Sequence, residues 1–462
     1  MIGDVTSGSS VRWQPTRAFG RVIVVVGLLL LLAVFTRRPD LVVFAAPFAI
    51  GTALGLWRRP TGGPEAHLTL AEPSLPEGGV VRAGIDVTNH DRIRYDLVII
   101  RMTTDRWVRM RYDERPYATG LAGERNIGVD LNGRALRWGR HLVGPVMIHA
   151  VVADGLMVSA PLDAPAADLT VYPMTEAFRA NDAMPRAAGV IGFHRSRRPG
   201  EGGELAGVRL FGPGDRLRRI DWRVSLRTRQ LHVAATLSDR DAEVVVLLDV
   251  LHEVGRSGGI GGTRSVLDTT VRAAAGIGDY YLHHGDRVSF MEYGWQSRRL
   301  RPSSGHRHYL TALEWLLDVV PSPVDGDMPA SVFGAQTISP NALIVVLTPL
   351  VDPRSAAMLA RFARAGRFVV AIDTMPPHLL DALGAVVPRR RGDAGTGALP
   401  WLTGTGYNAP AARLWRLERE NTLGRLREHG VPVVTWRGPG SLDEVLQQVS
   451  RMSTSPHAAV RV

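Results

Sequence analysis

The chain of 462 residues contains no cysteine. Disulfides, thiol nucleophiles and cysteine-ligated zinc are therefore excluded. Lysine is absent too, so all 55 basic residues are arginine. The glycine-rich stretch Gly258-Gly259-Ile260-Gly261-Gly262-Thr263 cannot end in the Gly-Lys-Ser/Thr that a phosphate loop needs. No serine is spaced to pair with a base. His283-His284 and His306-Arg307-His308 lack a third ligand at a helical or loop spacing. No compact basic-aromatic motif points to nucleic acid. A catalytic constellation is missing, and neither a nucleic-acid partner nor a small-molecule substrate is expected.

The length suffices for two or three domains plus an anchor. Hydrophobic residues make up 45% of the chain, which supports buried cores. The formal charge is +11 and the pI about 10.7, a balance that draws the chain toward anionic headgroups or acidic proteins.

Two apolar runs follow a polar leader containing Arg12 and Arg17: Val22–Phe35 and Leu41–Trp57. Arg37-Arg38-Pro39-Asp40 separates them, and Arg58-Arg59-Pro60 ends the second. Each run is at or just below the ~20 residues that span a bilayer, and flanking arginines can snorkel. The pair reads as a helical membrane hairpin within residues 1–60. Arginines outside both runs favour cytoplasmic outer ends, leaving the C-terminal domains cytoplasmic.

Residues 65–175 change pattern. Val81, Ala83, Ile85 and Val87 recur at period two, then Asn89-His90-Asp91 turns the chain. Tyr95–Met102, Arg125–Leu131, Leu142–Ala153 and Ala167–Tyr172 read as further strands. Short strands at this spacing predict a β-sandwich, and Val80–Asp91 resembles immunoglobulin-like modules.

A connector, residues 176–241, comes next. Its core is Glu204–Val233, where arginines surround Asp215, Asp221 and Trp222. Pro213 presets a turn, Gly214 accepts positive φ, and Asp215 can bond back to following amides. Alternating Arg and Asp suit a locked joint of bidentate ion pairs, with Trp222 as an apolar anchor beside them. A docking surface for another protein is the competing reading. Glu204, Gly207, Arg209, Phe211, Pro213-Gly214-Asp215, Arg218, Ile220-Asp221-Trp222, Ser225 and Arg227 together resemble the motif of the domain of unknown function 58 family. Leu205 stands where that motif has an aromatic residue, and Phe211 where it has tyrosine.

Residues 242–452 alternate strands and helices. The buried-strand runs Glu243–Val250, Ala342–Leu347 and Phe368–Asp373 predict a parallel sheet covered on both faces. Helices are expected at Ser265–His284, His308–Val319, Ser355–Ala365, Ala411–His429 and Leu442–Met452. Ligands of such sheets sit beyond the strands' carboxyl ends, where Asp249 lies. This half resembles a von Willebrand factor type A domain, as the family resemblance implies. Such domains often hold Mg²⁺ in a metal-ion-dependent adhesion site of hard oxygen ligands. The matching positions are Asp249, Leu251 and Glu253, followed later by Thr348-Pro349. Leu251 and Pro349 cannot ligate, so a degenerate site is expected. Asp249 and Glu253 remain for at most a weakly held divalent cation, and no other cofactor is expected.

The resemblance implies a non-enzymatic, membrane-anchored adaptor. Its implied partner is a MoxR-type AAA+ ATPase, acting in assembly or maturation of envelope or other protein complexes. The alternatives are a metal-dependent hydrolase using Asp249 and Glu253, or an arginine-rich binder of lipid or nucleic acid.

Overall fold

The computed structural model describes residues 11–57, 59–111, 115–174, 199–212, 220–237, 243–322, 338–339, 342–384 and 408–436. The chain divides into two compact units, Met1–Tyr172 and Pro173–Val462.

The first unit begins with a strand, β1 (Trp13–Pro15), where the sequence suggests only a polar leader. Two apolar helices follow, α1 (Arg17–Thr36) and α2 (Asp40–Trp57), and each is long and apolar enough to cross a membrane. Thr16 caps α1 through its side chain, and Arg37 closes it in the left-handed region at φ 55°. The remaining strands are β2 (Pro64–Leu70), β3 (Ser74–Pro76), β4 (Val80–Asn89), β5 (Tyr95–Thr104), β6 (Val108–Met110), β7 (Tyr117–Leu121), β8 (Arg125–Ala135), β9 (Gly139–Val152), β10 (Met157–Ser159), β11 (Leu162–Ala164) and β12 (Ala167–Tyr172). One sheet runs β2-β4-β8-β6; the other runs β1-β10-β9-β12-β3, with β5, β7 and β11 joined to it through β9 and β5. Pairing is antiparallel except between β12 and β3.

The period-two pattern of β4 works as the sequence suggests: Val81, Ala83, Ile85 and Val87 are buried while their neighbours face outward. Ile85, Val87 and Val129 of one sheet meet Val98, Ile100, Val146 and Ile148 of the other in a shared apolar cluster. Trp13 completes that cluster. It is 5% exposed, stacks at a tilt 5.9 Å from Tyr95, and donates its indole N–H to the carbonyl of Gly62 at 2.8 Å.

The second unit opens with an irregular hairpin, β13 (Pro199–Leu210) and β14 (His232–Leu237), with α3 (Trp222–Thr228) between them. An α/β layer follows: β15 (Glu243–Asp249), α4 (Val266–His283), β16 (Arg287–Tyr293), β17 (Arg299–Ser303), α5 (His306–Leu317), β18 (Leu343–Thr348), α6 (Pro353–Arg364), β19 (Phe368–Asp373), α7 (Pro377–Gly384), α8 (Asn408–Glu428) and β20 (Val433–Thr435). The sheet order is β17-β16-β15-β18-β19-β20. Every pair is parallel except β16 with β17. The all-parallel expectation is thus corrected to a mixed sheet. The edge strand Arg299–Ser303 alternates charge with Leu300 and Pro302, a pattern of partly solvated residues that carries no buried-strand signature.

Every residue of β15 and β18 is buried. Val245 and Leu247 on one face pack with Met358 and Leu359 of α6 and Leu426 of α8. A reciprocal capping box, Ser265 with Asp268, starts α4. The helix expected at Leu442–Met452 lies outside the described residues.

Candidate functional site

Among the described residues, the hairpin that carries the motif and the carboxyl ends of the parallel strands both bring polar side chains together.

In the hairpin, Asp221 is a helix cap. Its Oδ1 accepts the amides of Arg223 and Val224, both at 3.1 Å. Ser225, 6% exposed, ties α3 to β14: its hydroxyl donates to the Asp221 carbonyl at 2.7 Å and accepts the His232 amide at 2.8 Å. Ile220 bridges to Val233, and both are buried. Trp222, read as an apolar anchor of the joint, is 61% exposed and is not a core residue. Leu226, one turn later on the same helix, is 78% exposed. Arg223, Arg227 and Arg229 are exposed around them. Here the cap and the serine bridge orient the helix so that Ser225 faces inward and Trp222 outward. Glu204, Gly207 and Arg209 lie in β13, with Gly207 opposite Ala235 and Arg209 opposite Val233. Pro213, Gly214, Asp215 and Arg218 lie outside the described residues, as does the ion-pair weave built on them.

At the sheet's carboxyl edge, Asp249 ends β15 and is 2% exposed. Its Oδ2 accepts hydroxyl hydrogen bonds from Thr348 and Ser355, both at 2.6 Å, and its Oδ1 accepts the Leu251 amide at 3.1 Å. Burial raises its pKa above the usual carboxylate range, and the two hydroxyls and the amide only partly offset this. Asp352 caps α6 and takes a bidentate grip from the Arg354 guanidinium, with Nη2 at 2.7 Å. His252 Nε2 lies 2.9 Å from the same carboxylate. Partial burial would raise Asp352, but its hydrogen bonds to Arg354 and His252 outweigh it and hold the pKa below the usual range. Glu253 is engaged elsewhere, accepting the Leu267 amide at 3.1 Å near the start of α4. Asp373, at the end of β19, is paired with Arg419 of α8 at 2.6 Å, and each side chain is 5% exposed.

The sequence pointed to Asp249 and Glu253 as the remaining acids of a cation site; the structure gives each its own donors. Thr348 was singled out by the resemblance, whereas Ser355, Asp352 and Arg419 were not. Only the Asp-Pro pair at 352–353, a helix-start signal, was available to find one of them.

A Mg²⁺ ion takes six oxygens in near-octahedral array and keeps several waters. The Asp249 cluster offers one carboxylate and two hydroxyls, and both hydroxyl protons already point into that carboxylate. Thr348 and Ser355 are fully buried, and Leu251, 3% exposed, contributes no ligand atom. Among the described residues, no group of three or more His, Asp or Glu converges. The residues present do not fit the ion.

A family model described as "Protein of unknown function DUF58" matches residues 207–387. Residues 207–387 form a DUF58 domain. The match begins in β13, so the exposed Trp222 face and the buried Asp249 cluster both fall inside the DUF58 domain, whereas α8 with Arg419 falls outside it. Proteins of Mycobacterium bovis and Mycobacterium tuberculosis, described as uncharacterized, are 27% identical over 191 residues. That alignment covers 40% of this chain and 59% of theirs, so the chain spans less than two thirds of the curated relatives it matches. Among solved structures, 24% of the chain superposes on 7% of a Salmonella alpha-2-macroglobulin mutant, with 18% identity and a TM-score of 0.20. Another 26% superposes on 80% of the C-terminal domain of wzt, with 15% identity and a TM-score of 0.18. Scores this low carry no weight for fold or function.

Proposed function

We propose that the chain is a non-enzymatic, membrane-anchored adaptor whose DUF58 domain docks a protein partner on the α3 face. The observation that carries this reading is Trp222 and Leu226 standing side by side in solvent on a helix that the Ser225 hydroxyl ties to β14. Binding hot spots favour Trp flanked by Arg, and a pre-oriented anchor loses little entropy on docking. Val208, Leu210 and Leu231 of the same hairpin are also exposed and extend the apolar surface. The finer fold reading belongs here too. The parallel order β16-β15-β18-β19 supports a von Willebrand factor type A-like domain with a degenerate cation site, and the two facing sheets support an immunoglobulin-like sandwich. The partner that the family resemblance suggests is a MoxR-type AAA+ ATPase. The two apolar helices support a membrane location, with the C-terminal domains in the cytoplasm.

The test is binding of the full chain, in detergent, to a purified MoxR-type ATPase. Trp222→Ala with Leu226→Ala is expected to weaken binding by about thirtyfold or more, with the melting temperature little changed. Ser225→Ala is the structural control. It leaves the His232 amide without its buried partner and costs about 1–3 kcal/mol of stability. Unchanged binding by the double variant, or no binding by the parent chain, refutes the reading.

A further inference from the structure

The first unit is joined to its two apolar helices without slack. β1 pairs with β10 and runs straight into α1: the Thr16 amide donates to Leu156 O at 2.9 Å, and its hydroxyl donates to Gly155 O at 2.8 Å. The far end of α2 meets the same β9–β10 turn, since a Cβ on Gly55 would lie 3.2 Å from the Ala153 Cβ. Beyond α2, Thr61 and Gly62 are held by the Asp91 carboxylate, and Gly62 by the Trp13 indole. Strand register puts two more loops at this end. Asn89 is opposite Arg125, Tyr95 opposite Leu121, and Leu97 opposite Val151. The loops 89–94, 121–125 and 153–156 therefore share the end from which the helices emerge.

The first uninterrupted apolar residue of α1 is Val22, five residues beyond Arg17. At ~1.5 Å per residue this is about 7.5 Å, close to the thickness of one headgroup layer beside a hydrocarbon core of roughly 30 Å. The loops thus sit within about one Debye length, ~8–10 Å, of the lipid phosphates. Arg17, Arg21, Arg59, Arg92, Arg94 and Arg125 are exposed at or beside this end, and Trp57 is 84% exposed at the level where interfacial aromatics gather. Of the carboxylates there, Asp91 is buried and Asp154 is exposed, while three others are engaged. Glu124 pairs with Arg92 at 3.3 Å, Glu65 with His90 at 2.8 Å, and Asp96 accepts the Asp154 amide at 2.7 Å. Arginine stems are long enough to reach phosphates that Asp96 and Asp154 cannot approach.

We propose that this arginine-rimmed end is a docking surface for anionic phospholipid headgroups, so that the two-sheet unit lies on the leaflet it is anchored in. The inference rests on the membrane reading of the two helices. Its test is amide hydrogen exchange of the full chain in nanodiscs of phosphatidylcholine, with or without phosphatidylglycerol. Phosphatidylglycerol is expected to slow exchange in 89–94 and 121–125 by about tenfold, an effect that high salt reverses. The variant Arg92→Ser/Arg94→Ser/Arg125→Ser is expected to lose the response while still entering the discs. Equal exchange in the two lipids overturns the proposal. So does protection in phosphatidylcholine discs by inorganic phosphate alone, which would make a free anion the ligand. A chain that fails to enter the discs instead overturns the membrane reading beneath it.

Discussion

Replacing Arg419 by leucine isolates one buried charge. Its guanidinium pairs with Asp373 at 2.6 Å and donates to the carbonyls of Pro349 and Leu350, the second at 3.1 Å. One side chain thus pins the end of β19 and the loop after β18, where Leu350 adopts φ 51°. Both ionic partners are 5% exposed, so solvent screens little of the interaction. Arg419→Leu leaves the Asp373 carboxylate buried without a counter-charge and should cost about 3–5 kcal/mol. Asp373→Asn in the same chain removes the stranded charge and keeps an acceptor for the Met375 amide. The double variant should therefore recover most of that cost, leaving about 1–2 kcal/mol for the lost carbonyl bonds. Acidification should act in the same sense. Burial already raises Asp373, and removing Arg419 raises it further. A raised carboxylate favours the folded state below its unfolded pKa of about 3.9 and loses that advantage as pH rises. The single variant's deficit should accordingly shrink in acid. Trp415, whose ring centre lies 5.5 Å from the guanidinium, gives a local fluorescence signal for denaturant unfolding of the full chain. A loss below about 1 kcal/mol, or a double variant no more stable than the single, would refute the argument.

Asp91 offers the opposite pH sign. Burial would raise it, but bonds from Tyr95, Gly62 and Thr61 prevail and lower its pKa. Its contribution is present above about pH 3.9 and lost as pH falls through its folded pKa. Asp91→Asn should flatten that acid limb in a melting profile taken against pH. Millimolar Mg²⁺ should leave the melting temperature of the full chain unchanged, because a ligand stabilises only by binding the native state. A saturable rise abolished by Asp249→Ala would show that the hydroxyl cluster opens to admit a cation.

Legibility in the sequence followed burial. β15, β18 and β19 were readable because strands buried on both faces are continuous apolar runs, and β4 because one buried face alternates. β1 was not, since three residues ending in Pro15 carry no period; Trp13 acquires its meaning only opposite Ser159. The site was legible one residue at a time. Asp249 could be placed at a strand end and Thr348 matched through the resemblance, but Ser355 lies 106 positions away and reaches it only because α6 follows β18, the parallel neighbour of β15. The exposure of Trp222 was not readable, because its orientation depends on Ser225 bonding the His232 amide seven residues on, a contact with no spacing signature.

The place of β1 ahead of the helices governs how the chain can be cut. A fragment started after α2, the obvious route to a piece free of detergent, discards Trp13 along with the anchor. It would leave a tryptophan-sized hole between the sheets, a loss comparable to the ~3–5 kcal/mol of a core Trp→Ala change. It would also bare the edge of Met157–Ser159 to pairing with neighbouring copies. Aggregation of such a fragment would then reflect where it was cut. A peptide carrying residues 11–16, supplied separately, is the repair that this geometry suggests.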